Sequence, residues 1–172
     1  QPGWEELSAG FSLRGNWNKI FFHNHSPIII EMGCGKGEYT VDLSSKYPER
    51  NFIGIDKKGA RMWRGAKTSN EDNRPNVAFV RIRAENIAKV FGPGEIDEIW
   101  ITFPEPQPNS PRHSKRLTSP LFIERYRQVL KPGGIIHLKT DNDMFYEYTL
   151  DVIRESGHEL LYNNPDLYAT PD

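Results

Sequence analysis

Cysteine is almost missing from this chain: Cys34 is the single one among 172 residues. One thiol excludes an intrachain disulfide and disfavours a cysteine-based zinc centre. Long apolar runs are missing too, and no secretory signal opens the sequence, so nothing marks a membrane span or an exported protein. Charge of one sign is not in excess, with 22 Lys and Arg against 23 Asp and Glu. A nucleic-acid partner would therefore have to be met by a local patch and not by bulk charge. Together these absences fit a reducing, cytoplasmic setting. The length suits one ordinary domain with a substantial core. Neither monomer nor homodimer has a signature.

From Pro27 onward, strand and helix patterns alternate. Strands are expected at Ile28–Met32, Asn51–Asp56, Val77–Ile82, Ile96–Phe103 and Ile135–Thr140, with a last one at Glu159–Tyr162. Helices are expected at Glu38–Lys46, Ala60–Thr68, Glu85–Phe91, Ser119–Leu130 and Asn142–Glu155. This order predicts an α/β, Rossmann-like, doubly wound and mostly parallel sheet flanked by helices. Residues 1–26 read as an irregular amino-terminal cover carrying Trp4, Phe11, Trp17, Phe21 and Phe22, and residues 27–172 as the domain beneath it. Residues 163–172 read as an interrupted loop. In such sheets ligands lie at the carboxyl ends of the strands. Attention therefore falls on 31–37, 56–58, 83–86, 103–107 and 139–141.

The first of these junctions is the most informative. An apolar run leads into Glu31-x-Gly33-x-Gly35-x-Gly37. Three glycines on alternate positions leave one wall of the turn bare, so a flat ligand can lie against backbone. A dinucleotide fingerprint needs Gly-x-Gly-x-x-Gly, but the position that rule reserves for its third glycine is Glu38. A carboxylate at the turn also suits a ligand bearing an ammonium or sulfonium, such as S-adenosylmethionine, better than a pyrophosphate. Cys34 reads as a small apolar filler beside the turn. Asp56, ending the second strand, suits ribose hydroxyls with either cofactor, or the start of the next helix. Phe103-Pro104-Glu105-Pro106 fixes one carboxylate between two prolines. Arg112, His113, Lys115 and Arg116 follow it. A second basic group, Lys57, Lys58, Arg61, Arg64 and Lys67, follows Asp56. Both groups suit either a phosphate backbone or a solvated face, and Trp63 suits stacking or a core. Asp141 suits a substrate base or a helix cap. His137 reads as a satisfied core residue. His23 and His25 flank Asn24 without the acidic or thiol partners of a metal site, and no metal is expected.

These pieces together resemble the bacterial tRNA (guanine-N7)-methyltransferases. The resemblance is carried by Gly15-Asn16-Trp17-Asn18, Phe21-Phe22-His23-Asn24, Glu31 to Gly37 and Phe52-Ile53-Gly54-Ile55-Asp56. It continues through Glu98-Ile99-Trp100-Ile101-Thr102-Phe103-Pro104, Lys115-Arg116-Leu117 and His137-Leu138-Lys139-Thr140-Asp141. It implies a seven-stranded-type methyltransferase sheet, S-adenosyl-L-methionine as cofactor, and a tRNA whose variable-loop guanine takes the methyl group at N7. On the same grounds Glu31, Gly33, Gly35 and Gly37 would meet the cofactor's methionine end, and Asp56 its ribose. Glu105 would be the catalytic acid, next to both cofactor and base. Asn109, Arg112, Lys115, Arg116 and Asp141 would meet the substrate.

The chain departs from the family at several positions. Asp56 stands for a Glu, Glu105 for an Asp, Gln107 for a Trp and Asn109 near a Lys. Arg83 replaces an adenine-side acid, leaving Glu85, Asn86 or backbone N–H groups for that role. A family Thr-x-x-Glu segment would fall beyond Asp172. Three rival readings remain. An NAD-dependent oxidoreductase is disfavoured by the glycine spacing, and a small-molecule methyltransferase by the segment 112–116. A non-catalytic tRNA-binding module on the same fold is favoured only by Asn109, Gln107 and the family segment not found before Asp172.

Overall fold

The computed structural model describes residues 11–166 and residue 168. Five strands, β1 (Ile28–Met32), β2 (Asn51–Asp56), β3 (Val77–Arg81), β4 (Ile96–Thr102) and β5 (Leu130–Lys139), form one sheet in the order β3-β2-β1-β4-β5. All four pairings are parallel. The helices are α1 (Glu38–Lys46), α2 (Gly59–Glu71), α3 (Ile87–Val90), α4 (Pro120–Arg127) and α5 (Asp143–Ser156), with short 3₁₀ turns at Ala84–Asn86 and Ser110–Lys115. The chain winds outward from β1 to β3, then returns to lay β4 against the other side of β1. That reversal opens a crevice above β1.

The continuous apolar runs of β1 and β2 follow from burial on both faces. The alternation of β3 shows the two layers directly. Val77 and Phe79 pack with Cys34, Val41 and Met62, beneath α1 and α2. Ala78 and Val80 face the larger cluster, which holds Ile30, Ile53, Ile99, Phe122 and Tyr126. Helix ends follow elementary chemistry. Ser119 accepts from the Phe122 N–H at 3.3 Å with Pro120 in the first turn of α4, and Asn142 accepts from the Phe145 N–H at 2.8 Å to start α5.

The amino-terminal segment departs from the irregular path expected of it, since Trp17–Phe22 makes one turn of π-helix. Its aromatic side chains drive that order. Trp17 is buried against Phe11 and Phe91 and donates its indole N–H to Val90 O at 3.1 Å. Asn51 ties the segment to β2 by donating to Asn18 and Asn24. Trp4 lies outside the described residues.

Three other expectations are corrected. The described residues form five strands, and the strand expected at Glu159–Tyr162 is not one of them. Leu160, Leu161 and Tyr162 are exposed, so adjacent apolar residues without a buried face do not make a ladder. Helix α4 ends at Arg127, before the Lys131-Pro132-Gly133-Gly134 stop. Leu130 already pairs with Ile96, and a register shift between Ile96 and Glu98 absorbs the glycines. His137 is not a core residue. It is partly exposed at the sheet edge, stacked on Trp100 at 4.1 Å and bonded to Glu98 at 3.1 Å.

Candidate active site

The turn after β1 is held by its neighbour strand. The N–H groups of Gly33 and Cys34 both donate to Ile55 O, at 2.8 and 2.9 Å. The Gly35 N–H donates to Asp56 Oδ2 at 2.9 Å, and the other oxygen of Asp56 takes the Lys58 N–H at 2.8 Å. Asp56 thus secures the glycine turn and the start of α2 at once. Its carboxylate remains partly exposed and keeps lone pairs for hydroxyl donors.

The three glycines divide into two jobs. All have positive φ, at 71°, 57° and 77° for Gly33, Gly35 and Gly37. A Cβ on Gly35 would meet nothing within 4 Å, and one on Gly33 only Leu117, at 3.8 Å. Those two present bare backbone to open space. At Gly37 a Cβ would stand 2.5 Å from Phe79 and 3.4 Å from Gly65. The third glycine lets α1 approach α2 over the Phe79 ring. Cys34 is buried within that packing, and desolvation raises its thiol pKa far above the ordinary value, so it is an inert filler.

Glu31 reaches from β1 into the space between turn and sheet and is 5% exposed. Thr40, on α1, donates to one oxygen and Thr102, the last residue of β4, to the other, each at 2.5 Å. Desolvation raises the Glu31 pKa, and the two hydroxyls pull against that shift. The sequence reading missed both threonines. Register supplies the signal for one of them: Glu31 pairs across with Trp100, and Thr102, two residues on, shares its face.

The proline loop leaves β4 in a strained conformation. Phe103 and Gln107, on either side of Pro104-Glu105-Pro106, take left-handed φ values of 45° and 47°, costly for side chains of this size. Three contacts over-determine the loop. Thr102 is anchored on Glu31, and the Phe103 N–H donates to Lys139 O at 2.8 Å. Arg116 donates to Pro106 O at 3.0 Å and to Gln107 O at 3.1 and 3.3 Å. Glu105 stands exposed on this loop, accepting from the Gln107 side-chain amide at 3.2 Å.

Arg116 was expected among the substrate cations, but it is only 3% exposed, with its guanidinium 4.3 Å from the Tyr148 ring centroid. Its donors are spent on loop carbonyls, so it fastens the loop from below. Asn109, Arg112 and Lys115 are exposed on or beside the 3₁₀ turn that follows. Asp141 is exposed just past β5 and is not the α5 cap, because Asn142 takes that role. Glu85 and Asn86 occupy the 3₁₀ turn after β3, on the Asp56 side, where the Ile82 N–H donates to Asp56 O at 3.1 Å. Among the described residues no cluster of three or more His, Cys, Asp or Glu is placed to hold a metal ion, and no helix is long and apolar enough to cross a membrane.

Comparison with known proteins places this arrangement. Residues 25–169 match a family described as putative methyltransferase. A tRNA (guanine-N(7)-)-methyltransferase of Christiangramia forsetii is 53% identical over 169 residues, spanning 98% of this chain and 75% of that protein. The protein of the same name from Porphyromonas gingivalis is 49% identical, spanning 96% and 67%. Among solved structures, a 16S rRNA (adenine(1408)-N(1))-methyltransferase of Catenulisporales acidiphilia shares the fold, with a TM-score of 0.61 over 84% of this chain and 70% of that one at 20% identity. The chain belongs to the family of tRNA (guanine-N7)-methyltransferases.

Proposed function

We propose that the protein binds S-adenosyl-L-methionine in the crevice above β1 and methylates N7 of the variable-loop guanine of tRNA. The observation that carries this reading is the pairing of two unlike loops across β1 and β4: a turn of open glycine backbone secured by Asp56, and a fastened loop that presents the single carboxylate of Glu105. There is room for the cofactor beside the turn, since a Cβ on Gly35 would meet no atom within 4 Å and one on Gly33 only Leu117, at 3.8 Å. Backbone at 33–35 would hold the methionine end, Asp56 the ribose, and the 84–86 turn the adenine. When bound, S-adenosylmethionine supplies an electrophilic methyl group on a sulfonium.

Guanine N7 carries an in-plane lone pair exposed at the major-groove edge, so no proton has to be removed before it attacks. The protein's task is therefore alignment. Glu105 accepts hydrogen bonds from the N–H edge of the base and opposes the positive charge that builds on the ring. Arg116 and the flanking prolines keep that carboxylate from swinging away, and Glu31 keeps the two loops at a constant separation. Asp141, at the neighbouring strand end, offers a second acceptor to the base. Arg112 and Lys115 face solvent where a phosphate backbone would pass.

The test is transfer of labelled methyl from S-adenosylmethionine to unmodified tRNA transcripts, followed by nucleoside analysis. The expected product is 7-methylguanosine, lost when the variable-loop guanine is replaced by adenine. Label on another nucleoside, or none at saturating cofactor, overturns the reading.

A further inference from the structure

The cations after β4 have a counterpart after β2. Lys57, Lys58, Arg61 and Arg64 are exposed along the start of α2, and no hydrogen bond or ion pair engages their side chains among the described residues. Four other surface cations are mated: Arg74 with Asp72, Arg127 with Glu124, Lys131 with Asp97 and Arg154 with Asp151. The placement also runs against the helix dipole. No acid stands in the first turn of α2, whose cap is Lys58 and whose third residue is Arg61, whereas a helix start favours negative charge. By contrast α5 opens with Asp143 and closes with Arg154. Between Arg61 and Arg64 stands Trp63, 63% exposed on a helix whose inward face is Met62, Gly65 and Ser69. Lys67 lies 5.1 Å over its ring and pairs with Glu71 at 3.7 Å.

Beyond the one carboxylate of Asp56, which takes the Lys58 N–H, unmated cations crowd a positive helix end around an exposed indole that only Lys67 overlies, a local conflict that an anion bearing flat rings resolves. We propose that the exposed face of α2, about 20 Å long, is a second RNA-contact surface. Lys57, Lys58, Arg61 and Arg64 take phosphates of the substrate RNA, and Trp63 stacks on an unpaired base outside the reaction centre. This rests on the tRNA reading above and adds to it a docking surface separate from the catalytic loop. The surface begins one residue beyond Asp56, while Arg112 and Lys115 lie beyond β4. Substrate RNA therefore crosses the crevice from one cationic bank to the other, with the reacting guanine between them.

The test is a salt series of anisotropy titrations with unmodified tRNA transcript, alongside methyl-transfer kinetics. For Arg61→Ala/Arg64→Ala, the slope of log affinity against log salt should fall by about two. KM for tRNA should rise roughly tenfold, with kcat and S-adenosylmethionine affinity within twofold of wild type. Trp63→Ala should weaken binding by about fivefold to 150-fold at unchanged salt slope. The mated pair Arg127→Ala/Arg154→Ala should alter neither quantity. Removing a cation from the helix start should leave Tm unchanged or raise it by about 1–3 °C. A lowered Tm together with a lowered kcat marks a structural role and overturns the proposal, as do unchanged slope and KM in both test variants. If the wild type methylates tRNA but the variants behave like it, only the surface falls. If it binds tRNA through α2 without transferring methyl, only the reaction falls. If it does neither, both fall.

Discussion

The glycine turn after β1 and the proline loop after β4 stand on neighbouring strands and reach order by opposite means. The turn gives up its side chains. Its rigidity comes from outside, through Ile55 O and the Asp56 carboxylate, and it is left with bare backbone. The loop keeps one functional side chain and is stiffened from within by Pro104 and Pro106, against the strain of left-handed Phe103 and Gln107. A buried Arg116 takes up its carbonyls. On the proposed function, the difference matches two tasks. A cofactor that arrives with its own charges needs a surface that excludes nothing, whereas a base that has only to be aligned needs one acceptor that does not move.

The largest expected effect comes from emptying the loop of its acceptor. Glu105→Ala should lower single-turnover methyl transfer by roughly 10²–10³-fold while S-adenosylmethionine affinity, read by calorimetry, holds. A rate within threefold of wild type would remove Glu105 from the chemistry and leave the loop as a mere wall. Loosening the loop without touching the acceptor comes next. Arg116→Met leaves the carbonyls of Pro106 and Gln107 without their donors. It should cost about 2–3 kcal/mol of stability, a Tm drop of roughly 5–10 °C, and up to about 10²-fold in kcat through misplacement of Glu105. Arg116→Lys should rescue little, because an ammonium does not reproduce the fork that reaches both carbonyls. If the lysine variant recovers full kcat, the contribution is charge and not geometry.

What the amino-acid order disclosed follows the same division. The boundaries of β1, β2 and α1 emerge from patterning because each element carries its own local signal: β-branched runs, and a glycine before a helical stretch. The placement of Glu31, the glycines, Asp56 and Glu105 at strand ends was legible because the strand pattern of a doubly wound sheet fixes it. Burial of a particular basic side chain was not. Arg112, Lys115 and Arg116 look alike along the chain, and only the path of the loop turns the last one inward. The cap of α5 shows the same limit at short range, since Asp141 and Asn142 are both good caps and the strand end decides between them. Thr102 became visible only with register, which sets Trp100 opposite Glu31 and Thr102 two residues on, and Thr40 only with the packing of α1 over the strand.

The turn can be divided in the same manner as the loop. Gly37→Ala adds a Cβ 2.5 Å from Phe79 in a left-handed conformation, and should destabilise the fold by about 2–5 kcal/mol. Gly35→Ala meets no atom, so its stability cost should stay near the conformational share of about 1–2 kcal/mol. Its cofactor affinity should nevertheless fall by at least roughly tenfold, as the new methyl projects into the hollow. Melting and calorimetry on the two variants should therefore rank them in opposite orders. The same ranking in both measurements would mean that the open side of the turn is not where the ligand lies.

The smallest effect tests the joint between the two regions. Glu31 takes one hydroxyl from the helix that follows the turn and one from the strand that precedes the loop. Burial raises its pKa from the ordinary 4.5, so the folded state holds the proton more tightly than the unfolded chain does. Stability from this group is therefore complete below the unfolded pKa and declines as pH rises through the folded one. Glu31→Gln fills the same volume, removes the titration and can still bond both threonines. Urea midpoints across pH should show the wild type losing stability relative to the variant as pH climbs from about 4.5, then a constant gap once Glu31 is ionised. A gap that widens in the other direction would mean that the two hydroxyls outweigh desolvation. The carboxylate would then be held in its charged form, and Glu31 would carry its negative charge into the crevice at every pH where the protein is folded.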